Sequence, residues 1–322
     1  MRGLPGHDFR RIEFAVALSI AVFAAGMAAV TAFAGGSKVW GHLAKLDGPL
    51  VAVLLALSLV NYALRTMRWH AYSRHLGMDI PLRQSTLYYV AGFALTTTPG
   101  KIGEALRLWL MERCNGYRYE RTVPILLADR TSDMGSVGIL LLIGLAGVSA
   151  QPWLLAAGGV AVSGMALLVL RPRLATGMVD GGFRLVRRWP RLFGRLRGAM
   201  RRTAALFTPR IFLATLALAV GGWLAECIAF ALVLDAFGAG VDLHGAILIF
   251  TAGMLVGALT FLPGGIGGTE ATMLALLSAY GVSLDIAIPA TMVIRVTTLW
   301  FAVALGFSFM PSALRMARRA VP

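Results

Sequence analysis

Apolar residues in this chain run in long unbroken stretches, such as 49–61 and 138–148, rather than alternating with polar ones. A stretch of about twenty apolar residues is enough for a helix to cross the hydrocarbon core of a bilayer. The pattern predicts full spans near 12–34, 49–69, 121–147, 153–171, 210–236 and 285–310. Two more apolar stretches, near 84–114 and 245–281, are each cut by a glycine-rich turn. The turns read Pro99-Gly100-Lys101-Ile102-Gly103 and Pro263-Gly264-Gly265-Ile266-Gly267-Gly268. The pieces on either side, about 12–18 residues each, are short for a full crossing. They are expected to be re-entrant hairpins or broken helices.

Composition strengthens this picture. Of 322 residues 58% are hydrophobic and only 14% charged, against roughly 25% charged in an ordinary soluble domain. So little polar surface cannot cover a soluble core of this size, so much of the exterior must face lipid. A transmembrane barrel would need short segments of alternating polarity, which are absent. The expected fold class is therefore all-α integral membrane, with about six full helices and two broken hairpins. One transmembrane domain, 1–322, divides into a first half at 12–171, a linker at 172–209 and a second half at 210–310. Arg10-Arg11 before an apolar run ending in Ala32-Phe33-Ala34 mimics a cleaved signal, but the run is long for one. It is read as a retained first helix. Cys114 and Cys227 form no CxxC motif and are read as buried thiols.

Charge sets the expected orientation. With the N-terminus cytoplasmic, 26 of the 30 basic residues collect on the cytoplasmic side, in 1–11, 65–83, 101–121, 171–210 and 315–319. Lys38 and Lys45 fall outside, and Arg130 and Arg295 lie within spans. The positive-inside bias predicts cytoplasmic N- and C-termini in a bacterial inner membrane. In 171–210, Leu185, Trp189, Leu192, Phe193, Leu196 and Met200 recur at helical spacing, largely opposite a set of arginines. That pattern suits an amphipathic helix on an anionic membrane surface better than a nucleic-acid contact, despite the net charge of +15.

The two turns belong to an internal repeat. Pro99-Gly100, Ile102-Gly103 and Glu104 match Pro263-Gly264, Ile266-Gly267 and Glu270, with Gly268-Thr269 extra in the second copy. Pro124 and Arg130 are six apart, as are Pro289 and Arg295, at an offset of 165. The first hairpin follows a basic loop and the second follows 235–244, which has no Lys or Arg. The same motif is thus expected twice with opposite topology, the layout in which many secondary transporters build a midplane site. Helices starting after the turns would aim their N–H groups at that site and favour an anion.

An arginine at a span centre costs roughly 2.5–3.5 kcal/mol on the insertion scale, so Arg130 and Arg295 need carboxylates or a bound anion. Candidate carboxylates are Glu104, Asp129, Asp133, Glu226 and Glu270. One reading makes them structural ion pairs between the repeats. The other has Arg130 and Arg295 contact a phosphate while Glu104 and Glu270 gate it or contact a cationic group, with Asp133 pairing to Arg130 one turn away. Arg107 either lines the site or snorkels to the surface, and Glu226 beside Trp223 reads as structural pairing before a site role. The chain has no GxxxxGK[ST], HExxH or GxSxG, so no nucleotide-driven pump, metal site, cofactor or nucleophile is implied.

The stretches PGKIGEALR (99–107), DRTSD (129–133) and PGGIGGTEA (263–271), with Arg295 following, resemble the flippase-like membrane domain of lysylphosphatidylglycerol synthases and its stand-alone relatives. The likeness in layout covers roughly residues 12–310. It implies movement of a polar or anionic lipid between leaflets, with membrane lipids as partners and no catalytic residues of its own. Lipid aminoacylation is not carried over, because the chain ends at Pro322 without the synthases' soluble transfer domain. Two rivals stay open on the sequence. One is a non-catalytic scaffold for enzymes of phospholipid, hopanoid or polyprenyl-linked lipid synthesis. The other is a headgroup-modifying enzyme using Glu104 or Glu270 as acid or base.

Overall fold

The computed structural model describes residues 41–43, 46–98, 102–147, 208–260 and 262–320, with isolated positions 21, 25, 194 and 206. The expected spans at 12–34 and 153–171, nearly all of the basic 171–210 segment, and Pro99, Gly100 and Lys101 lie outside the described residues.

Every regular element among the described residues is helical. Helix α1 covers Gly48–His75; Asp47 caps it by accepting from the Leu50 N–H at 2.8 Å. Its 28 residues extend about 42 Å at 1.5 Å per residue, enough to cross a bilayer. Helix α2, Leu82–Ala91, runs into a tight 3-10 turn at Gly92–Leu95, and α3 resumes at Ile102–Asn115. Helix α4 spans Tyr119–Gly147 with Pro124 inside it.

The second half follows the same plan. Helix α5 is Pro209–Ala236 and α6 is Leu243–Leu259. After a 3-10 turn at Pro263–Gly265, α7 covers Gly268–Ala279 and α8 Leu284–Arg295. A π-helical turn at Val296–Trp300 leads into α9, Phe301–Arg319. The second stretch is therefore broken at its expected glycine turn, and in the first the described helices stop at Leu95 and resume at Ile102. Among the described residues, three runs are long and apolar enough to cross a membrane: α1, α5 and the continuous Leu284–Arg319. Helix α4 is as long, but Asp129, Arg130 and Asp133 fall within it.

Two apolar clusters hold these helices. One gathers Trp69, Tyr72, Tyr89, Phe93, Leu110 and Met111 around α1 to α4. The other gathers Phe230, Phe250, Met273 and Ile294 around α5 to α8. Helix α4 enters the first through Ile125 and Ala128 and the second through Val137 and Leu140. Its charged residues lie between, where the clusters meet.

The structure corrects one part of the charge count. Arg65 and Arg68 are not loop charges: they sit on α1, and Arg68 is wholly buried. Arg107, also counted with the loops, is buried on α3. These three neutralise or face groups within the fold and carry no information on orientation.

Asp242 caps α6, accepting from the Gly245 N–H at 2.9 Å. Asp242→Ala removes that acceptor and is expected to cost about 1 kcal/mol, read as a modest drop in thermal stability in detergent.

Candidate functional site

The second turn is closed by its own charges. Gly264, Gly265 and Gly267 have φ of 63°, 68° and 88°, a backbone region that side chains disfavour, which is why glycine reverses the chain here. Glu270 is the third residue of α7. One of its carboxylate oxygens accepts from the Gly267 N–H at 2.6 Å. The other accepts from Arg295 Nε at 2.6 Å, and Arg295 Nη2 donates to the Gly264 carbonyl at 2.7 Å. Glu270 thus occupies the first N–H of the helix end, and Arg295 straps both ends of the turn together.

The first turn carries a matching pair. Glu104 is the third residue of α3, and Arg130 Nη2 lies 3.2 Å from its carboxylate. The two extra residues of the second copy, Gly268-Thr269, are therefore absorbed at the helix start, leaving each glutamate at the same helical position. Each partner arginine stands six residues after a proline within the following helix.

The first pair sits in a larger network. Arg130 also reaches Asp133 at 3.4 Å and Asp129 at 3.6 Å. Behind it, Arg68 bridges Asp129 at 2.6 Å and Asp133 at 2.8 Å. Arg65 meets Asp133 at 3.1 Å, and the Trp223 indole N–H donates to Asp133 at 3.2 Å. Every cation in this group is matched by carboxylates, as a low-dielectric interior requires. The side chain of Arg130 is 33% exposed and its Nε has no hydrogen-bond partner, whereas that of Arg295 is only 3% exposed. The two arginines are equivalent in place but not in availability.

The two broken segments touch. A Cβ added to Gly264 would lie 3.2 Å from the Thr97 methyl and 3.3 Å from a Leu299 methyl. Thr97 lies just before the first glycine turn, so the approach to that turn packs against Gly264 of the second.

Arg107 does not snorkel. It is 4% exposed, its guanidinium 3.7 Å from the Tyr89 ring centroid and within 6 Å of the Trp69 and Phe93 rings. Stacking on π faces offsets part of the cost of burying it. Glu226 forms no ion pair among the described residues; its polar neighbour is Asn61. The expected structural pairing of Glu226 is thus not seen. Pro263, Gly265 and Gly268 lie in or beside the second turn, and Gly103 opens α3.

Sequence reasoning passed over Arg65, Arg68, Asn61 and the three rings around Arg107. Arg65 and Arg68 stand three apart at the end of an apolar span, facing Asp129 and Asp133, four apart on another. That complementary spacing was a readable signal.

The sequence profile of the "Lysylphosphatidylglycerol synthase TM region" family matches residues 15–306. The chain belongs to this family. Two relatives are similar along nearly their whole length, both named "UPF0104 membrane protein" and both from Methanothermobacter thermautotrophicus. One is 26% identical, covering 92% of this chain and 94% of its own. The other is 25% identical, covering 85% and 86%. As a member of this family with three bilayer-length apolar helices among its described residues, the chain is a membrane protein. The family's matched region takes in both glycine turns and both Glu–Arg pairs.

Proposed function

We propose that this protein translocates a lipid, carrying a polar or anionic headgroup between leaflets while the acyl chains stay in the bilayer. The observation that carries the reading is the packing of Thr97, just before the first glycine turn, against Gly264 in the second, with a Glu–Arg pair following each turn. Broken backbone at membrane depth is tolerated where protein or a wet cavity satisfies it, and in transporters such breaks flank the substrate site. Membership of a family named for a lipid-synthase membrane region supports a lipid as the cargo.

Arg130 receives the phosphate in this account, because its side chain is partly exposed whereas that of Arg295 is buried. Arg295 and Glu270 hold the second turn in shape, and Glu104 competes with the headgroup for Arg130. Opposed topology of the two halves lets the turns open toward one leaflet or the other. The role is transport rather than catalysis, in a bacterial inner membrane with both termini cytoplasmic.

The test is leaflet exchange of fluorescent anionic, zwitterionic and aminoacylated lipids in liposomes, read by quencher access. Native protein is expected to speed exchange of at least one class. Arg130→Ala and Glu270→Gln are expected to slow it at least tenfold, a loss of about 1.4 kcal/mol or more in barrier lowering. Native rates in variants neutralised at Glu104, Glu270, Arg130 and Arg295 would rule the mechanism out. No exchange of any lipid by folded protein would favour the scaffold.

A further inference from the structure

Among the described residues, the charges within the helical core balance. Five arginines, Arg65, Arg68, Arg107, Arg130 and Arg295, stand against five carboxylates, Glu104, Asp129, Asp133, Glu226 and Glu270. Four of the carboxylates are ion-paired within 4 Å. Glu226 is the exception, 5% exposed and without an ion pair. An anion entering this set adds an uncompensated negative charge to a low-dielectric interior, which is costly.

We infer that Glu226 is a proton-binding site coupled to that entry: ionised while the site is empty, protonated from water when an anionic headgroup binds. The inference rests on the lipid reading above and adds its coupling ion. Neutralising any other core carboxylate would break an ion pair. Neutralising Glu226 breaks none.

The surroundings of Glu226 fit both charge states. It lies on α5 one turn after Trp223, whose ring lies 5.4 Å from the Arg65 guanidinium. From α1 it faces Arg65, Asn61 and Tyr62; from α4, Asp133; from α8, Arg295; on its own helix, Cys227. Helix α6, also packed on α5, brings only His244, in its first turn. Neither the amide oxygen nor the amide nitrogen of buried Asn61 is committed to another partner. The nitrogen can donate to a carboxylate and the oxygen can accept from a carboxylic acid. Glu226 also stands within electrostatic reach of Arg65 in the first network and Arg295 at the second turn, so a change in its charge is felt by both.

Proton uptake on binding tests this. Native protein and Glu226→Gln, in weakly buffered detergent with a pH-indicator dye, are titrated with short-chain phosphatidylglycerol or phosphatidylcholine, with binding followed by calorimetry. Native protein is expected to take up about one proton per phosphatidylglycerol bound and none with phosphatidylcholine, whose headgroup has no net charge. Linkage then tightens phosphatidylglycerol binding by up to about tenfold per unit of falling pH while Glu226 is ionised in the free protein. Glu226→Gln should bind without uptake or pH dependence, and Glu226→Asp should restore both. Phosphatidylglycerol bound by native protein without a proton, or with equal uptake in Glu226→Gln, would overturn the inference and leave the lipid reading standing. Failure to bind either lipid would count against the lipid reading and remove this inference with it.

Discussion

Asp129→Ala is expected to destabilise the protein by about 3–5 kcal/mol, the usual cost of stranding one member of a buried ion pair. Arg68 is wholly buried, and Asp129 meets both its Nε and its Nη2. Without Asp129, Arg68 retains only Asp133, which already serves Arg65, Arg130 and the Trp223 indole. The expected result is little folded protein after extraction, read by size-exclusion profile and thermal denaturation. Replacing both partners with apolar residues of similar volume, Arg68→Met with Asp129→Leu, should recover most of the loss, because no buried charge is then stranded. Equal damage in the single and double variants would show that the pair has a role beyond mutual neutralisation.

Gly103→Ala is expected to be nearly as damaging although it adds one methyl. Its Cβ would fall 2.2 Å from the Gly92 carbonyl oxygen and 3.3 Å from Leu95 C, all backbone that cannot rotate aside. On the other side of the same turn, a Cβ at Gly306 would lie 2.1 Å from the Ala94 nitrogen. Helices α3 and α9 thus grip the Gly92–Leu95 turn through two glycines, and the turn in turn positions the Arg107 ring cage. Overpacking typically costs about 1–3 kcal/mol and more where backbone must move. Gly135→Ala is the control: its nearest neighbour is a Leu216 methyl at 3.4 Å, which can yield. Thermal midpoints in detergent should fall clearly for Gly103→Ala and hardly at all for Gly135→Ala.

Much of this arrangement was legible because membrane helices are written in long apolar runs and breaks in them are written in glycine. The starts of α1, α4, α5 and the 284–319 run fall within two residues of the expected spans, but α1 and the last run extend six and nine residues further, because polar and basic residues continue the helix beyond the apolar run. The near-constant offset singled out Glu104, Glu270, Arg130 and Arg295 as equivalent residues, but which glutamate meets which arginine is set by the packing of separate helices and was not readable from spacing. Arg65, Arg68 and Arg107 were harder to read. Counting basic residues by segment treats a helix end as a loop, whereas burial depends on which face of the helix a residue occupies. The aromatic cage of Arg107 joins residues of three elements far apart in sequence, and no local spacing announces it. Glu226 shows the reverse error: a buried carboxylate suggests a cation beside it, yet here the balance is kept across the whole set rather than pair by pair.

In the proposed translocation a headgroup passes where the segment at Thr97 packs on the turn at Gly264, so the two must part for transport. A reversible lock tests it most directly. In a background with Cys114 and Cys227 replaced, Thr97→Cys and Gly264→Cys place one sulfur where the Thr97 methyl stands, 3.2 Å from the new Cβ at 264, a separation compatible with a disulfide. The positive φ of Gly264 adds about 1–2 kcal/mol of strain, so folding is checked first in the reduced protein. Lipid exchange is expected in the reduced protein, with loss of exchange on oxidation and recovery on adding reductant. Undiminished exchange through a fully formed disulfide would contradict the proposed translocation.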